Sequence, residues 1–267
     1  MHLFVWTLAA TLSVLGRSRT AVTNDSAHCT DGERRVDVAD LATPARALPF
    51  RDGEQLEYSV SYTKVRAGSG TMRIVADSLR GARVWRASLA VDGGIPFLSV
   101  HDTNTSWFEQ SSFTSLRFLQ QQHEPRHTAL RDFHIFPERR AFQPIKGPEQ
   151  PSVVDPMDEV SIVYFVRTLA LEPGECFELH RYFKPGSNPV VVHVERRERI
   201  EVPAGTYNAI VVRPEIVTSG IFSENGRAEL WLSDDAARLV LQLKTHLSIG
   251  SINLYLKRAT NTVAPTP

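Results

Sequence analysis

A mainly β protein is predicted, with a single antiparallel curved sheet or open barrel packed around one principal helix at about residues 156–171. Three observations predict it. Between Phe50 and Lys257, short runs of alternating apolar and polar residues recur at roughly 8–12-residue spacing, separated by Gly-, Pro-, Asn- and Asp-rich turns. Only one stretch, Asp155 to Gly174, carries the marks of a helix. That stretch is apolar on most sides, and such a helix is normally enclosed by protein rather than laid on its surface.

The first element is a leader. Leu3 to Gly16 is uncharged and mostly apolar, and Arg17 and Arg19 follow at once. The run is shorter than the about 20 residues a membrane span needs, and it has the length of a secretory signal core. Residues 1–16 are therefore read as a signal peptide, and the chain as exported to the periplasm or cell envelope. No transmembrane segment is expected after cleavage. Residues 17–47 show no sustained period and are read as a flexible leader or linker, 48–258 as one β-rich domain, and 259–267 as a disordered tail. Cys29 and Cys176 are the two cysteines. In an oxidising compartment they either pair, tying the leader to the strand after the helix, or stay as two separate thiols.

Within the domain, Leu56, Tyr58, Val60 and Tyr62 alternate with polar residues as a half-buried strand. Gly68-Ser69-Gly70 is read as a turn into Thr71–Ala76, and Arg80-Gly81 as a turn into Val84–Val91. Further strands are expected at Phe97–Val100, Thr105–Glu109, Ser115–Gln122 and Arg131–Phe136, with a surface loop from Pro137 to Pro151. The helix follows. Asp155 is the expected cap, Pro156 suits the first helical position, and Pro173-Gly174 stops the run. After it come strands at Phe177–Phe183, Val190–Val194, Ala209–Pro214, Ile216–Ser223, Arg227–Leu232, Leu239–Leu247 and Ser251–Lys257. Glu224-Asn225-Gly226 is expected to turn a hairpin, and Asp234-Asp235 another bend.

Composition excludes some partners. Thirty basic and thirty acidic residues cancel, so nothing global calls for nucleic acid. Arg outnumbers Lys 25 to 5, but the arginines are scattered. The sharpest catalytic string is His123-Glu124-Pro125-Arg126-His127, a formal H-E-x-x-H. Zinc chemistry needs that string on a helix, so that one turn brings both imidazoles to one face. Pro125 opposes a helix there, and a polar hairpin connection is the reading preferred. A looser metal set would be His123, His127 and His134. No G-x-S-x-G elbow or P-loop is present, and no cofactor is expected. On the helix, Ser161, Tyr164 and Arg167 recur at three-residue spacing on one side. They are either a polar recognition line or an anchor of helix to sheet, with Arg167 on a carboxylate. Tyr58, Trp85 and Trp231 fall in strands, as core or as the lining of an aromatic cavity.

Several motifs have a family character in their order: Phe50-Arg51-Asp52-Gly53-Glu54-Gln55-Leu56-Glu57-Tyr58, Ala67-Gly68, Asp102, the helix residues Asp158, Ser161, Tyr164 and Arg167, and Pro173-Gly174. Val202-Pro203-Ala204-Gly205-Thr206-Tyr207, Glu229-Leu230-Trp231-Leu232-Ser233-Asp234-Asp235 and Gly250-Ser251-Ile252 complete them. Together they resemble a bacterial envelope family catalogued as domain of unknown function 3108, over roughly residues 48–258. The resemblance implies an exported, mostly antiparallel β protein with no established activity and no catalytic residues to carry over. The architecture is also similar to the half-barrels of periplasmic lipoprotein carriers. The functional expectation is a non-enzymatic domain that binds an apolar or lipid-like amphipathic ligand, or an envelope protein, with Ser161, Tyr164, Arg167, Tyr58, Trp85 and Trp231 as binding residues. The alternatives are a metal-dependent hydrolase using His123, Glu124 and His127, or a purely structural envelope protein.

Overall fold

The computed structural model describes residues 28–36, 47–63, 65–95, 98–124, 127–216, 228–246 and 251–263. The expected signal peptide, much of the leader and the Glu224-Asn225-Gly226 turn lie outside the described residues. Strands in chain order are β1 (Arg34–Val36), β2 (Gln55–Tyr62), β3 (Val65–Leu79), β4 (Ala82–Ile95), β5 (Leu98–Glu109), β6 (Ser115–Glu124), β7 (His127–Phe136), β8 (Ala141–Pro144) and β9 (Gln150–Pro151). After the helix α1 (Glu159–Val166) come β10 (Glu175–Leu179), β11 (Val190–Val202), β12 (Gly205–Glu215), β13 (Ala228–Ser233), β14 (Val240–His246) and β15 (Ser251–Thr260).

All fifteen form one sheet, in the order β1, β10 to β15, then β2 to β9. Neighbours are antiparallel except β1 and β10, which run parallel. The sheet is not closed: β1 and β9 are its two ends. The expected class, a curved antiparallel sheet around one principal helix, is the class observed. Period-two burial builds it. In β2, Leu56, Tyr58 and Val60 are buried while Gln55, Glu57 and Ser59 are partly exposed, so one face of the strand enters the core.

Several boundaries differ from expectation. Gly68-Ser69-Gly70 lies inside β3 and is no turn; the chain reverses between Tyr62 and Val65. Glycine serves close approach here. Gly68 has φ +159°, and a Cβ on it would fall 2.1 Å from the carbonyl oxygen of Asp92 on the neighbouring strand. Gly93 and Gly94 lie inside β4, and β5 runs unbroken where two strands were expected. The expected loop 137–151 contains β8 and β9, because Phe142 pairs with Ile135 and buries its ring. At the far end β15 continues to Thr260, since Ala259 and Thr260 pair with Leu56 and Gln55.

Residues 28–36 also have a fixed place. Cys29 and Cys176 form a disulfide with Cα atoms 5.7 Å apart. Arg34, Arg35 and Val36 pair with Glu175, Cys176 and Phe177, so this piece of the expected leader covers the sheet edge at β10. Arg34 bonds Glu175, and Arg35 lies 2.8 Å from Glu178.

The helix is shorter than expected and starts later. Its cap is Asp158, not Asp155, and Pro156 stands before it. Asp155 sits at φ +45°, and Met157 is drawn into a bridge with Tyr182. The capping box then forms three residues downstream: Asp158 accepts from the Ser161 N–H, and the Ser161 hydroxyl accepts from the Asp158 N–H. At the other end the Thr168 hydroxyl and N–H both donate to the Phe165 carbonyl, closing the helix well before Pro173. The helix packs against β4 and β5.

Candidate functional site

Both ends of α1 are held by buried polar clusters. Asp158 is fully buried, and its Oδ2 accepts from the hydroxyls of Ser106 on β5 (2.5 Å) and Ser115 on β6 (2.7 Å). Burial pushes its carboxyl up to about 6, although the serine hydroxyls and the helix N–H groups pull it back. At the C-terminal end Arg167 is 1% exposed. Its guanidinium donates to both oxygens of Glu54 (2.6 and 3.0 Å) and to the carbonyls of Pro49 and Ala237. The rings of Phe50 and Tyr164 lie 5.2 and 5.3 Å from it. The Nε–H is buried without a partner, so the charge is held by the bidentate pair and the two carbonyls, and removing Glu54 would leave it uncompensated.

The six expected binding residues are therefore all buried. Ser161 belongs to the cap, and Tyr164 and Arg167 to the anchor. Trp85 packs edge-on to Phe50 at 5.8 Å. Trp231 points to the opposite side of β13 from Leu230 and Leu232, and its indole N–H donates to Glu198 at 2.5 Å. Tyr58 donates to the Val240 carbonyl at 3.0 Å. The cavity beside it, walled by Met72, Leu89, Val160 and Leu254, holds about 20 Å³, room for one water. Close packing between helix and sheet leaves five of the six no opening for a ligand, and Trp231 lies apart from them on the outer side.

The expected metal sets fare differently. His123 pairs with Thr128, and Glu124, the last residue of β6, stands opposite His127, the first of β7, in the antiparallel register. The H-E-x-x-H string is thus a strand hairpin, not a helical turn, and the zincin geometry is absent. His134 pairs with Arg117 at the other end of the same hairpin. Six residue steps along the strand separate it from the His123–Thr128 pair, roughly 20 Å, so His123 and His134 do not converge.

Side chains that the sequence reading passed over show a different pattern. Across the inner face, the register aligns Leu56, Met72, Leu89, Asn104, Gln120 and Arg131 in one row. The row is apolar on β2 to β4 and polar on β5 to β7. One step along, Arg131 donates to Gln122 at 2.8 Å. Asp102, also inward, has its carboxyl raised by burial. The signal was present in the sequence: the inward period of β6 runs Phe118, Gln120, Gln122, leaving the apolar alternation after one residue.

This polar end reaches the seam of the open sheet. Residues 180–188, after β10, lie against β7 and β8: Phe183 stands 5.2 Å from Phe133 and 5.1 Å from Phe142, and the Ser152 hydroxyl donates to the Phe183 carbonyl. Beside that contact opens a groove of about 550 Å³, lined by Phe133, Phe142, Pro144, Pro151, Lys184 and Pro185. The Lys184 ammonium stands 4.6 Å from the Phe133 ring centre and 5.1 Å from that of Phe183. Burial pulls its pKa down, Glu159 favours its charge, and Arg131 opposes it. Among the described residues, no carboxylate comes within ion-pair distance of Lys184 or Arg131. Chemically this is a cationic point above an aromatic floor, open to solvent on one side.

A profile described as a protein of unknown function (DUF3108) matches residues 57–257. A search of curated proteins finds no match. Among solved structures, the β-barrel-like protein of domain of unknown function DUF1849 from Brucella abortus aligns with a TM-score of 0.51 and 8% identity, over 80% of this chain and 98% of that one. The likeness is one of fold. A Bacteroides fragilis protein described as exported and of YmcC-like fold gives 0.33 at 12% identity, and a Parabacteroides distasonis protein described as a lipoprotein gives 0.35 at 9%. Each covers 80% of this chain and 98% of its own, with scores too low to bear on the reading.

Proposed function

This chain belongs to the DUF3108 family of proteins of unknown function, and on that footing we propose that it is an exported, non-enzymatic binding domain of the cell envelope that takes an amphipathic anion at the seam of its sheet. One observation carries the reading. An open groove of about 550 Å³ with a floor of Phe133 and Phe142 holds a lysine that no carboxylate among the described residues pairs with. That volume falls within the about 300–1,000 Å³ usual for small-ligand sites. An acyl or aromatic tail would cover the phenyl rings while its carboxylate or phosphate meets Lys184, and the desolvated ammonium would gain a counter-ion. Export is supported by the apolar run Leu3 to Gly16 and by the disulfide, which suits an oxidising compartment.

The test is calorimetric titration with a medium-chain fatty acid, beside native mass spectrometry of protein taken from its own envelope. Binding by the wild type and a loss of tenfold or more in Lys184→Met are expected. Because burial lowers the Lys184 pKa, affinity for the anion should weaken as pH rises through that lowered value. No binding by the wild type, or equal binding by Lys184→Met, would sink the reading.

A further inference from the structure

Under the N-terminal strand, on β10 and β11, lies a second cluster, which shares no residue with the groove. The ladder between β10 and β11 places Cys176 directly opposite His193. His193 is 1% exposed, and its Nδ1 stands 2.7 Å from Glu33 Oε1. Its Nε2 is buried without a hydrogen-bond partner, the Glu215 carboxylate lying 3.6 Å away. Glu33 is fixed in turn by the N–H and hydroxyl of Thr30, each donating to its Oε2. Burial pulls the Glu33 carboxyl up, but the bonds from His193 and Thr30 outweigh it and hold it below its ordinary value. One ligand-type atom each from Glu33, Cys176 and His193 lies within 4.8 Å of the others.

While Cys176 is bonded to Cys29, its sulfur is no thiolate and the set is incomplete. We propose that reduction of the Cys29–Cys176 disulfide converts this cluster into a buried site for a zinc-type divalent cation, with Cys176, His193, Glu33 and Cys29 as donors. A dithiol reductant supplies the two electrons and two protons. The Cys29–Cys176 bond breaks, the reductant closes its own disulfide, and both cysteines become thiols. Metal binding then displaces the two thiol protons to solvent.

Three features favour this cation class. Two thiolates, an imidazole and a carboxylate are ligand types that zinc accepts in tetrahedral sites. Cys176 and His193 are held opposite each other by backbone pairing that does not involve the disulfide. With the metal on the Glu33 side of the imidazole, Nε2–H would face Glu215, the carboxylate–histidine–metal arrangement that orients such ligands. The proposal is independent of the groove: it concerns what the N-terminal strand does once its covalent tie is cut.

The experiment compares the same purified full-length chain oxidised and reduced. Each is stripped of metal, treated with or without a phosphine reductant, offered zinc and desalted, and its bound metal is measured. Cobalt replaces zinc in a parallel arm for its thiolate-to-metal absorption. About one zinc per reduced chain and none per oxidised chain are expected, with a thiolate–cobalt band only after reduction. His193→Ala and Glu33→Ala should each weaken the reduced site tenfold or more. Should the stripped chain unfold on reduction, reduction is repeated with zinc present, and retention of far-ultraviolet circular dichroism with one bound metal is then expected. A folded reduced chain that takes no more zinc than the oxidised one would overturn the proposal. So would unaltered affinity in His193→Ala, or loss of fold despite zinc.

Discussion

Two cations inside this sheet have opposite circumstances. Arg167 is enclosed at the end of α1, with both nitrogen tips of its guanidinium on Glu54 and two backbone carbonyls accepting from one of them. Lys184 stands at the seam over two phenyl rings, with no carboxylate of the described residues in ion-pair reach. Both lie among aromatic rings and both lose water. The difference lies in who supplies the counter-charge. For Arg167 the chain supplies it, so the charge serves as a fixed joint between helix, β2 and the turn after β13. For Lys184 the described residues supply only the field of Glu159 from beyond ion-pair distance, and the groove beside the ammonium leaves room for a counter-ion from outside.

Removing one partner should break the first arrangement hardest. Glu54→Ala leaves Arg167 buried and unpaired, and denaturant unfolding should show a loss of about 3–5 kcal/mol. Destabilisation as small as a surface substitution would mean that the pair is not the joint described. Asp158 comes next. Its folded pKa of about 6 lies above the ordinary aspartate value of 3.8, so its contribution is full below about 4 and lost as pH rises through 6. Over that window the stability of the wild type relative to Asp158→Asn should fall by about 3 kcal/mol. Paired urea titrations at pH 3.5 and 7 measure it, and a pH-independent difference would remove Asp158 from the account. The smallest effect on stability belongs to the seam. Lys184→Met keeps the aliphatic stem over Phe133 and should shift stability by less than about 1 kcal/mol while abolishing anion binding. If it destabilised as much as Glu54→Ala, Lys184 would be a second structural joint, and the contrast would collapse.

Much of the architecture was legible in the chain. Alternation in Leu56, Tyr58 and Val60 foretells a strand with one buried face, because each successive side chain must point the other way. The helix was legible too, from its apolar breadth and from the line of Ser161, Tyr164 and Arg167. Its boundaries were not. Asp155 and Asp158 are both adequate caps locally. What selects Asp158 is Ser106 and Ser115, contributed by strands 43 or more residues away in sequence. The glycines misled for a related reason. Gly68 and Gly93 look like turn residues one at a time, and only their pairing across β3 and β4 shows that they allow two backbones to touch. For the H-E-x-x-H string, Pro125 already argued against a helix, and the hairpin register agrees.

The seam site was almost invisible in the sequence. Gln120 and Gln122 mark a polar inner period, but nothing local says that Arg131, Lys184, Phe133 and Phe142 share one neighbourhood. Lys184 reaches it from the far end of the sheet order, carried by the residues that follow β10.

By itself, then, the sequence determined the fold class, the polarity of each strand face and the presence of one enclosed helix. These follow from periodicity and side-chain chemistry, which are local properties. The tertiary structure decided which carboxylate neutralises Arg167, that the two cysteines pair, and which cation stands without a carboxylate of the described residues in ion-pair reach. Counter-charge is a matter of distances under 4 Å between residues far apart in sequence, and only the closing of the sheet around α1 sets those distances.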